Sequence, residues 1–427
     1  MLALLRSNLA LLFGIALLMT GHGLQSTLLG LRTAIEQFST MTSGLVLAGY
    51  FLGLLVGSRQ APRLVVRVGH VRVFAAMSAI ASTTILFHLL VIDPVSWFLF
   101  RLVTGFCLAG VYVVAESWLN AGTPNAMRGR LLSVYLLLQN AGLAGGPLLL
   151  NLAAPADFQP FVLVSVLVSL AVVPMLLSAV PAPPIAAGRR FGLRDLWQVS
   201  PLGFVGICGI GIVQGALWSL GPIFARQIGL DLAGVTGLMA IIAVGGVALQ
   251  WPFGRLSDQF DRRYVLIAAC LAAALVLSPL PFLAAPGRTF TFAAFFLFAG
   301  LALPVYSLCV AHINDFLETE EMVAASGALL LANGAGAVAG PLLAAALMSG
   351  LGAPGFPLLL ALVTLGIGGF ASYRLTVRPP VPSEERTQFM ALPQLSPVAL
   401  ELAREQASEQ GVASEGAVSG RASQGSG

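Results

Sequence analysis

Of the 427 residues in the chain 57% are hydrophobic, mean hydropathy is +0.90, and only 40 side chains are formally charged (22 basic plus 18 acidic). No water-facing surface of ordinary polarity can be assembled from that inventory, so a soluble globular domain is excluded. Every basic residue is an arginine, and a chain without lysine cannot form a phosphate-binding G-x-x-x-x-G-K-[ST] loop, which argues against ATP hydrolysis.

The apolar residues fall in runs of about 20, the length at which a helix crosses the hydrocarbon core. Such runs must be helical, because lipid offers backbone groups no partners. Twelve spans are predicted, the first at 8–30 with His22 and Gln25 inside it. Spans at 41–58, 73–92 and 95–117 follow; the fourth carries Arg101 and Glu116, which sit fifteen positions and thus about 22 Å apart along one helix. The fifth, 131–153, holds Gln139 and Asn140, whereas the sixth, 161–180, has only hydroxyls. A Pro- and Arg-bearing linker at 181–200 leads to spans at 202–225 (with Gln214 and Trp218), 233–252, 264–285, 290–312, 323–349 (with Asn333) and 356–377. The tail 378–427 is polar, with a short capped helix after Ser396-Pro397 and a Gly/Ser-rich, disordered end. The sixth, ninth and twelfth spans, lacking charges and amides, are expected to face lipid; the first, fourth, fifth, seventh and eleventh are expected to face protein or an aqueous cavity, with His88 making the third an exception.

Arginines set the topology. With the N-terminus inside, fifteen arginines fall on the cytoplasmic side (Arg6, Arg59, Arg63, Arg67, Arg72, Arg128, Arg130, Arg189, Arg190, Arg194, Arg255, Arg262, Arg263, Arg374, Arg378) and three on the outer side (Arg32, Arg226, Arg288). Both termini are therefore expected in the cytoplasm, the first span being a retained helix, and the net charge of +4 reports topology, with no nucleic-acid surface implied. Cys107, Cys208, Cys270 and Cys309 lie inside spans at unrelated spacings, so neither a disulfide framework nor a metal site is indicated.

One half of the chain is a diverged copy of the other. An offset of 192 pairs Gly14 with Gly206, Gly23 with Gly215 and Gly53 with Gly245; an offset of 194 pairs Tyr112 with Tyr306, Asn120 with Asn314, Gly142 with Gly336, Gly146 with Gly340 and Pro147 with Pro341. The expectation is an all-α membrane protein of two six-helix pseudo-symmetric bundles, 1–180 and 201–377, in a parallel repeat about an axis along the membrane normal.

Gly254-x-Leu256-x-Asp258 followed by Arg262 and Arg263 resembles the loop signature between the second and third helices of a half in the major facilitator superfamily, with Gln259 and Asp261 departing from the pattern. The first-half copy, Pro62 to Arg72, keeps Leu64, Arg67 and Gly69 but has Val66 where the acid belongs. Arg101-x-x-x-Gly105 with Ala109 resembles the superfamily's membrane-embedded arginine motif, and Gly142-x-x-x-Gly146-Pro147 its antiporter-associated Gly-Pro motif. Q-W-P-F-G-R-L-S-D, together with Val114 to Asn120 and Arg128 to Leu132, is most similar to the bacterial YcaD-like permeases. The resemblance covers residues 8 to 377 and implies a multi-pass, monomeric permease of the bacterial inner membrane.

By that resemblance Asp258 caps a neighbouring helix and pairs with arginines, so Gly254, Asp258 and Arg262 are expected to form a cytoplasmic gate latch, with Glu116, Arg128 and Arg130 as further latch candidates. The competing readings are topology alone for the loop arginines and a proton relay for Glu116. In a parallel-repeat transporter the ligand sits near mid-membrane between the halves, which makes the repeat mates His22 and Gln214 candidates for the cavity, with Gln25, Trp218, Arg101, Tyr112 and Tyr306. Gln139 and Asn333, mates beside glycine-rich motifs, are read first as interhelical hydrogen-bonders. His22 is also a candidate for proton coupling.

These features describe a secondary transporter of a small amphiphilic or aromatic solute, either an efflux antiporter for drugs or metabolites or an uptake system for a nutrient such as a vitamin or flavin. A sensor or scaffold would need a folded signalling domain. No cofactor, enzyme chemistry or metal cluster is expected.

Overall fold

The computed structural model describes residues 2–121, 125–176, 191–283, 287–317 and 319–377. The predicted tail helix lies outside these residues, as do the side chains of Arg128 and Arg130. Twelve described helical passages are long and apolar enough to cross a membrane. The first half comprises α1 (Leu2–Ile35), α2 (Thr40–Val68), α3 (His70–Leu90), α4 (Pro94–Ala121), α5 (Asn125–Leu148) and α6 (Gln159–Leu176). After the short α7 (Leu193–Val199), the second half comprises α8 (Pro201–Gln227), the consecutive pair α9 (Leu232–Ala248) and α10 (Gln250–Gln259), α11 (Arg262–Leu277), the pair α12 (Arg288–Ala302) and α13 (Val305–Asn314), α14 (Thr319–Leu351) and α15 (Gly355–Val377).

Packing repeats between the halves. In the first, α1 rests on α5 and α6, α2 on α4, and α3 on α4 and α6; in the second, α8 rests on α14 and α15, α9 on α12, and α11 on α12 and α15. The agreement reaches single atoms. A methyl group added at Gly53 would fall on the Leu102 carbonyl oxygen, and one at its repeat mate Gly245 would fall on the Phe296 carbonyl oxygen. Gly142 and Gly146 abut the backbone of α1 at Ala16 and Thr20, while their mates Gly336 and Gly340 abut α8 at Cys208 and Ile212, the positions offset by 192 from Ala16 and Thr20. Backbones can meet this closely only where side-chain bulk is missing, which is the packing mode available when lipid supplies no hydrophobic drive between helices. Two six-helix bundles in a parallel repeat are the result.

Between halves, α2 packs on α14, α5 on α9, and α1 on α8. Ser26 Oγ donates to the Trp218 carbonyl oxygen at 2.7 Å, and these residues are themselves repeat mates. A residue can touch its own mate only near the pseudo-twofold axis, so the axis passes through this point.

Several boundaries differ from the sequence reading. Residues 253–259 are expected to begin a loop, but they belong to α10 and continue the eighth passage to Gln259, leaving the turn to Phe260 and Asp261. Asp261 accepts from Arg263 N at 3.0 Å and so caps α11. Arg59, Arg63 and Arg67 likewise lie on α2, which runs on to Val68; the turn is at Gly69, whose φ of 95° favours glycine. Charged residues at a helix end in the interfacial zone need not interrupt the helix, because long side chains reach water from there. The tenth passage, expected to be continuous, changes helix at Leu303 and Pro304.

Side-chain direction follows the polarity reading in part. Ser82 of α3 bonds Ser165 and Ser169 of α6 at 2.8 Å each, so the hydroxyls of the sixth passage join helices. His88 is buried against Trp97 and Phe100, its Nδ1 3.0 Å from the Thr84 carbonyl oxygen. The fifth passage, by contrast, is only 28% buried although it carries two amides, because one of its faces lines a cleft between the halves.

Candidate functional site

A cavity of about 140 Å³ lies between the bundles, walled by α1, α2, α4 and α5 on one side and by α8, α9, α14 and the Gln250 end of α10 on the other. From α1 it receives Met19, His22 and Ser26, which succeed one another at spacings of three and four and so share one face. Arg101, Tyr112 and Glu116 enter from α4, Gln139 and Asn140 from α5, and Gln214 and Trp218 from α8. Tyr50 and Phe51 of α2 complete the wall on the first-half side.

The centre of the site is a stacked cluster. The His22 and Tyr50 rings lie 4.9 Å apart at 28°, and the Arg101 guanidinium carbon sits 4.6 Å from the Tyr50 ring centroid. A desolvated cation–π contact of this kind is worth about 2 kcal/mol. Gly105, one turn along α4, touches the Tyr50 carbonyl oxygen closely enough to exclude a methyl group, and this close approach brings Arg101 over Tyr50. At the other end of the lining the Glu116 carboxylate accepts from the Tyr135 hydroxyl at 3.1 Å, and Tyr135 lies 3.5 Å from Gln139 Nε2.

The cavity is closed at the end remote from the termini. There the Gly44 region of α2 meets Pro341 and Ala345 of α14, Gly30 meets Pro222, Asn151 Nδ2 donates to Thr236 Oγ1 at 3.0 Å, and Gln227 Nε2 lies 3.5 Å from Thr40 Oγ1. The lining continues toward the terminus-bearing end through Glu116, Gly246 and Gln250.

Of the seven cavity residues read from sequence, His22, Arg101, Tyr112, Gln214 and Trp218 line the space. Gln25 and Tyr306 are buried in the walls, outside the lining. Gln25 lies three residues from His22, but Ser26 occupies the position that faces inward; the second-half tyrosine is the repeat mate of a lining residue without sharing its exposure. The pair Gln139 and Asn333 also splits. Gln139 reaches the cavity, and Asn333 bonds α14 to α8 through the Ile207 carbonyl oxygen at 3.4 Å. Asn140, one of the two amides noted in the fifth span, lines the cavity, and Ser26 and Gln250 are lining residues that the sequence reading does not assign to it.

Gly254 is buried within α10 and Asp258 is exposed on its last turn. Arg262 faces away from the cavity into its own bundle, where it pairs with Asp315 at 2.7 Å and donates to the Ala311 carbonyl oxygen at 2.6 Å. Both members of this pair are nearly fully buried. Asp315 is invisible to motif reading because the link spans 53 residues. Glu116, expected as a latch partner, also lines the cavity.

A polar cavity on the axis between two parallel-repeat bundles defines a secondary transporter of small solutes embedded in the bilayer. The chain belongs to the Major Facilitator Superfamily, whose family model matches residues 11–304 and 203–410. It is similar to the uncharacterized MFS-type transporter YcaD of Escherichia fergusonii, with 28% identity over 345 residues, 80% of this chain and 89% of that protein. An uncharacterized MFS-type transporter of Yersinia pestis (strain Pestoides F) is also 28% identical, over 349 residues and the same shares of the two chains. Among solved structures, a point mutant of the nucleoside transporter NupG superposes with a TM-score of 0.74 at 14% identity, covering 86% of this chain and 100% of that one. A bacterial homolog to the human lysosomal transporter Spinster, inward-facing and unoccupied, gives 0.62 at 15% identity, covering 94% and 97%. These likenesses fix the fold, and the bacterial relatives place such a chain in the inner membrane as a multi-pass protein.

Proposed function

We propose that the chain carries a small amphiphilic or aromatic organic solute across the bacterial inner membrane by alternating access, with both termini in the cytoplasm and proton movement coupled to solute movement. The observation that supports this reading is the cavity itself: a ring-rich, amide-bearing space on the pseudo-axis, sealed by inter-bundle contacts at the Thr40–Gln227 end. With the arginine-rich ends inside, the sealed end is periplasmic. Glu116, the carboxylate of the cavity wall, and His22, stacked on Tyr50, are the two candidate proton carriers, and a carboxylate within a membrane span is the commoner one. The Gly142 to Pro147 element packs on α1 and favours export no more than uptake.

Proteoliposome uptake of a panel of aromatic solutes, with and without an imposed pH gradient, tests this. Gradient-driven accumulation is expected in the wild type, and Glu116→Gln should retain solute exchange while losing its response to the gradient. Uptake by wild-type protein that ignores the gradient would remove proton coupling, and a panel in which nothing moves would remove the solute class.

A further inference from the structure

Arg101 is a buried cation whose counter-charge is missing from the described protein. It is 2% exposed, its Nε and Nη1 hydrogens meet no acceptor, and no described carboxylate lies within ion-pair distance. Its one charge-stabilising contact is the face of Tyr50. Glu116, the other ionisable group of opposite sign on the cavity, is fifteen residues along the same helix, about 22 Å at 1.5 Å per residue. Two further nitrogens of the lining residues also lack partners: the amide Nε2 of Gln214, a donor, and the Nδ1 of His22, a donor in one of its tautomers. A buried charge is tolerated when something pairs with it, and buried donors call for acceptors.

We infer that the transported solute is an organic monoanion, a carboxylate on a flat apolar body, whose carboxylate pairs with Arg101 and whose ring lies among Tyr50, Tyr112 and Trp218. This rests on the transporter reading of the same cavity and narrows it to one charge class. The guanidinium presents a planar fork matched to a carboxylate. Gln214, from the opposite bundle, brings a donor to the same space, so a bound anion would be held by both halves at once. A zwitterion small enough for the cavity could not reach Arg101 and Glu116 together. An organic cation would meet the Arg101 charge without a screening carboxylate beside it.

The experiment uses the full chain in detergent with three probes of one shape: benzoate, benzamide and benzylammonium. Quenching of tryptophan emission, to which Trp218 reports from the cavity wall, and the rise in melting temperature give affinity. Benzoate is expected to bind at least about tenfold more tightly than the other two, the factor corresponding to about 1.4 kcal/mol. Arg101→Gln should bring benzoate down to the level of benzamide, and Arg101→Lys should keep part of the preference. A measurement without probe separates this role from a structural one: Arg101→Met is expected to melt at or above the wild-type temperature, since it removes an uncompensated buried charge. The inference is overturned by a wild-type chain that binds benzoate no better than benzamide or does not bind it, by unchanged benzoate binding in Arg101→Gln, or by a lowered melting temperature in Arg101→Met. Uptake of neutral or cationic solutes that is indifferent to Arg101→Gln would also sink it and would leave the transporter reading standing. Failure of that reading shows separately, as proteoliposomes that move no solute of any charge class.

Discussion

At the scale of single residues, burial decides which charges matter. Arg262 and Asp315 are paired inside the second bundle with side-chain exposures of 2% and 3%, and neutralising one removes the opposite charge from the other in a buried setting. Asp315→Asn should therefore lower stability by about 3–5 kcal/mol, whereas replacing both members with apolar residues of similar size should recover most of that loss. Denaturant unfolding in detergent, followed by far-UV circular dichroism, measures both. Single residues are legible in the sequence where the repeat supplies a second constraint. His22 stands out because its mate Gln214 is also polar, and both line the cavity. Legibility fails where only rotation about a helix axis matters: Gln25 and Ser26 differ by about 100° around α1, and in a helix apolar on most sides nothing in the sequence says which of them faces inward. The Arg262–Asp315 link is illegible for another reason, because long-range pairing depends on how α11 meets α13.

At the scale of elements, the helices are placed by close backbone contacts and by their caps. Gly105 of α4 meets α2 at the Tyr50 carbonyl oxygen, which an added methyl group would overlap, and Gly53 of α2 meets α4 at Leu102 equally closely. Gly105→Ala must push the helices apart, at a cost of about 1–3 kcal/mol, and would lift Arg101 from Tyr50. Lower melting temperature together with weaker solute binding is the expected outcome; unchanged binding would show that the site tolerates the displacement. The start of α4 carries a pH-sensitive cap. Asp93 Oδ2 accepts from Ser96 N at 2.8 Å, and this backbone bond holds the Asp93 carboxyl below the usual carboxylate range. A depressed folded-state value means that the contribution is present above the unfolded-state value and is lost as pH falls through the folded one. The difference in melting temperature between wild type and Asp93→Asn should accordingly shrink as pH is lowered into the acid range; a difference constant with pH would dismiss the cap as a charge effect. Helix number and approximate position are readable because spans are set by hydrocarbon thickness. The ends are less so: at α10 and at the end of α2 the charged residues mark the membrane interface and the helix runs through them.

At the scale of the whole molecule, the repeat constrains how the two bundles can move. Their mutual contacts are few in kind: α1 on α8 at the axis, α2 on α14, and α5 on α9. Exchange of the halves maps the first onto itself and the other two onto each other, so a rocking motion can open one end while closing the other without breaking symmetry within either bundle. The Ser26–Trp218 bond lies on the axis, where displacement is smallest, and it can persist through the cycle. Contacts remote from the axis cannot. Gln227 and Thr40, 3.5 Å apart in an exposed contact at the sealed end, must separate if that end opens. In a chain whose four native cysteines are replaced by alanine, Thr40→Cys with Gln227→Cys should therefore be joined readily by a short bis-thiosulfonate reagent. Uptake into proteoliposomes should fall with the extent of cross-linking and return on reduction. The same pair should become harder to join when a bound solute favours opening at that end, because a ligand shifts such an equilibrium only through its different affinity for the two states. Full activity in a fully cross-linked chain would mean that the sealed end never opens, and the cavity would then have only one door.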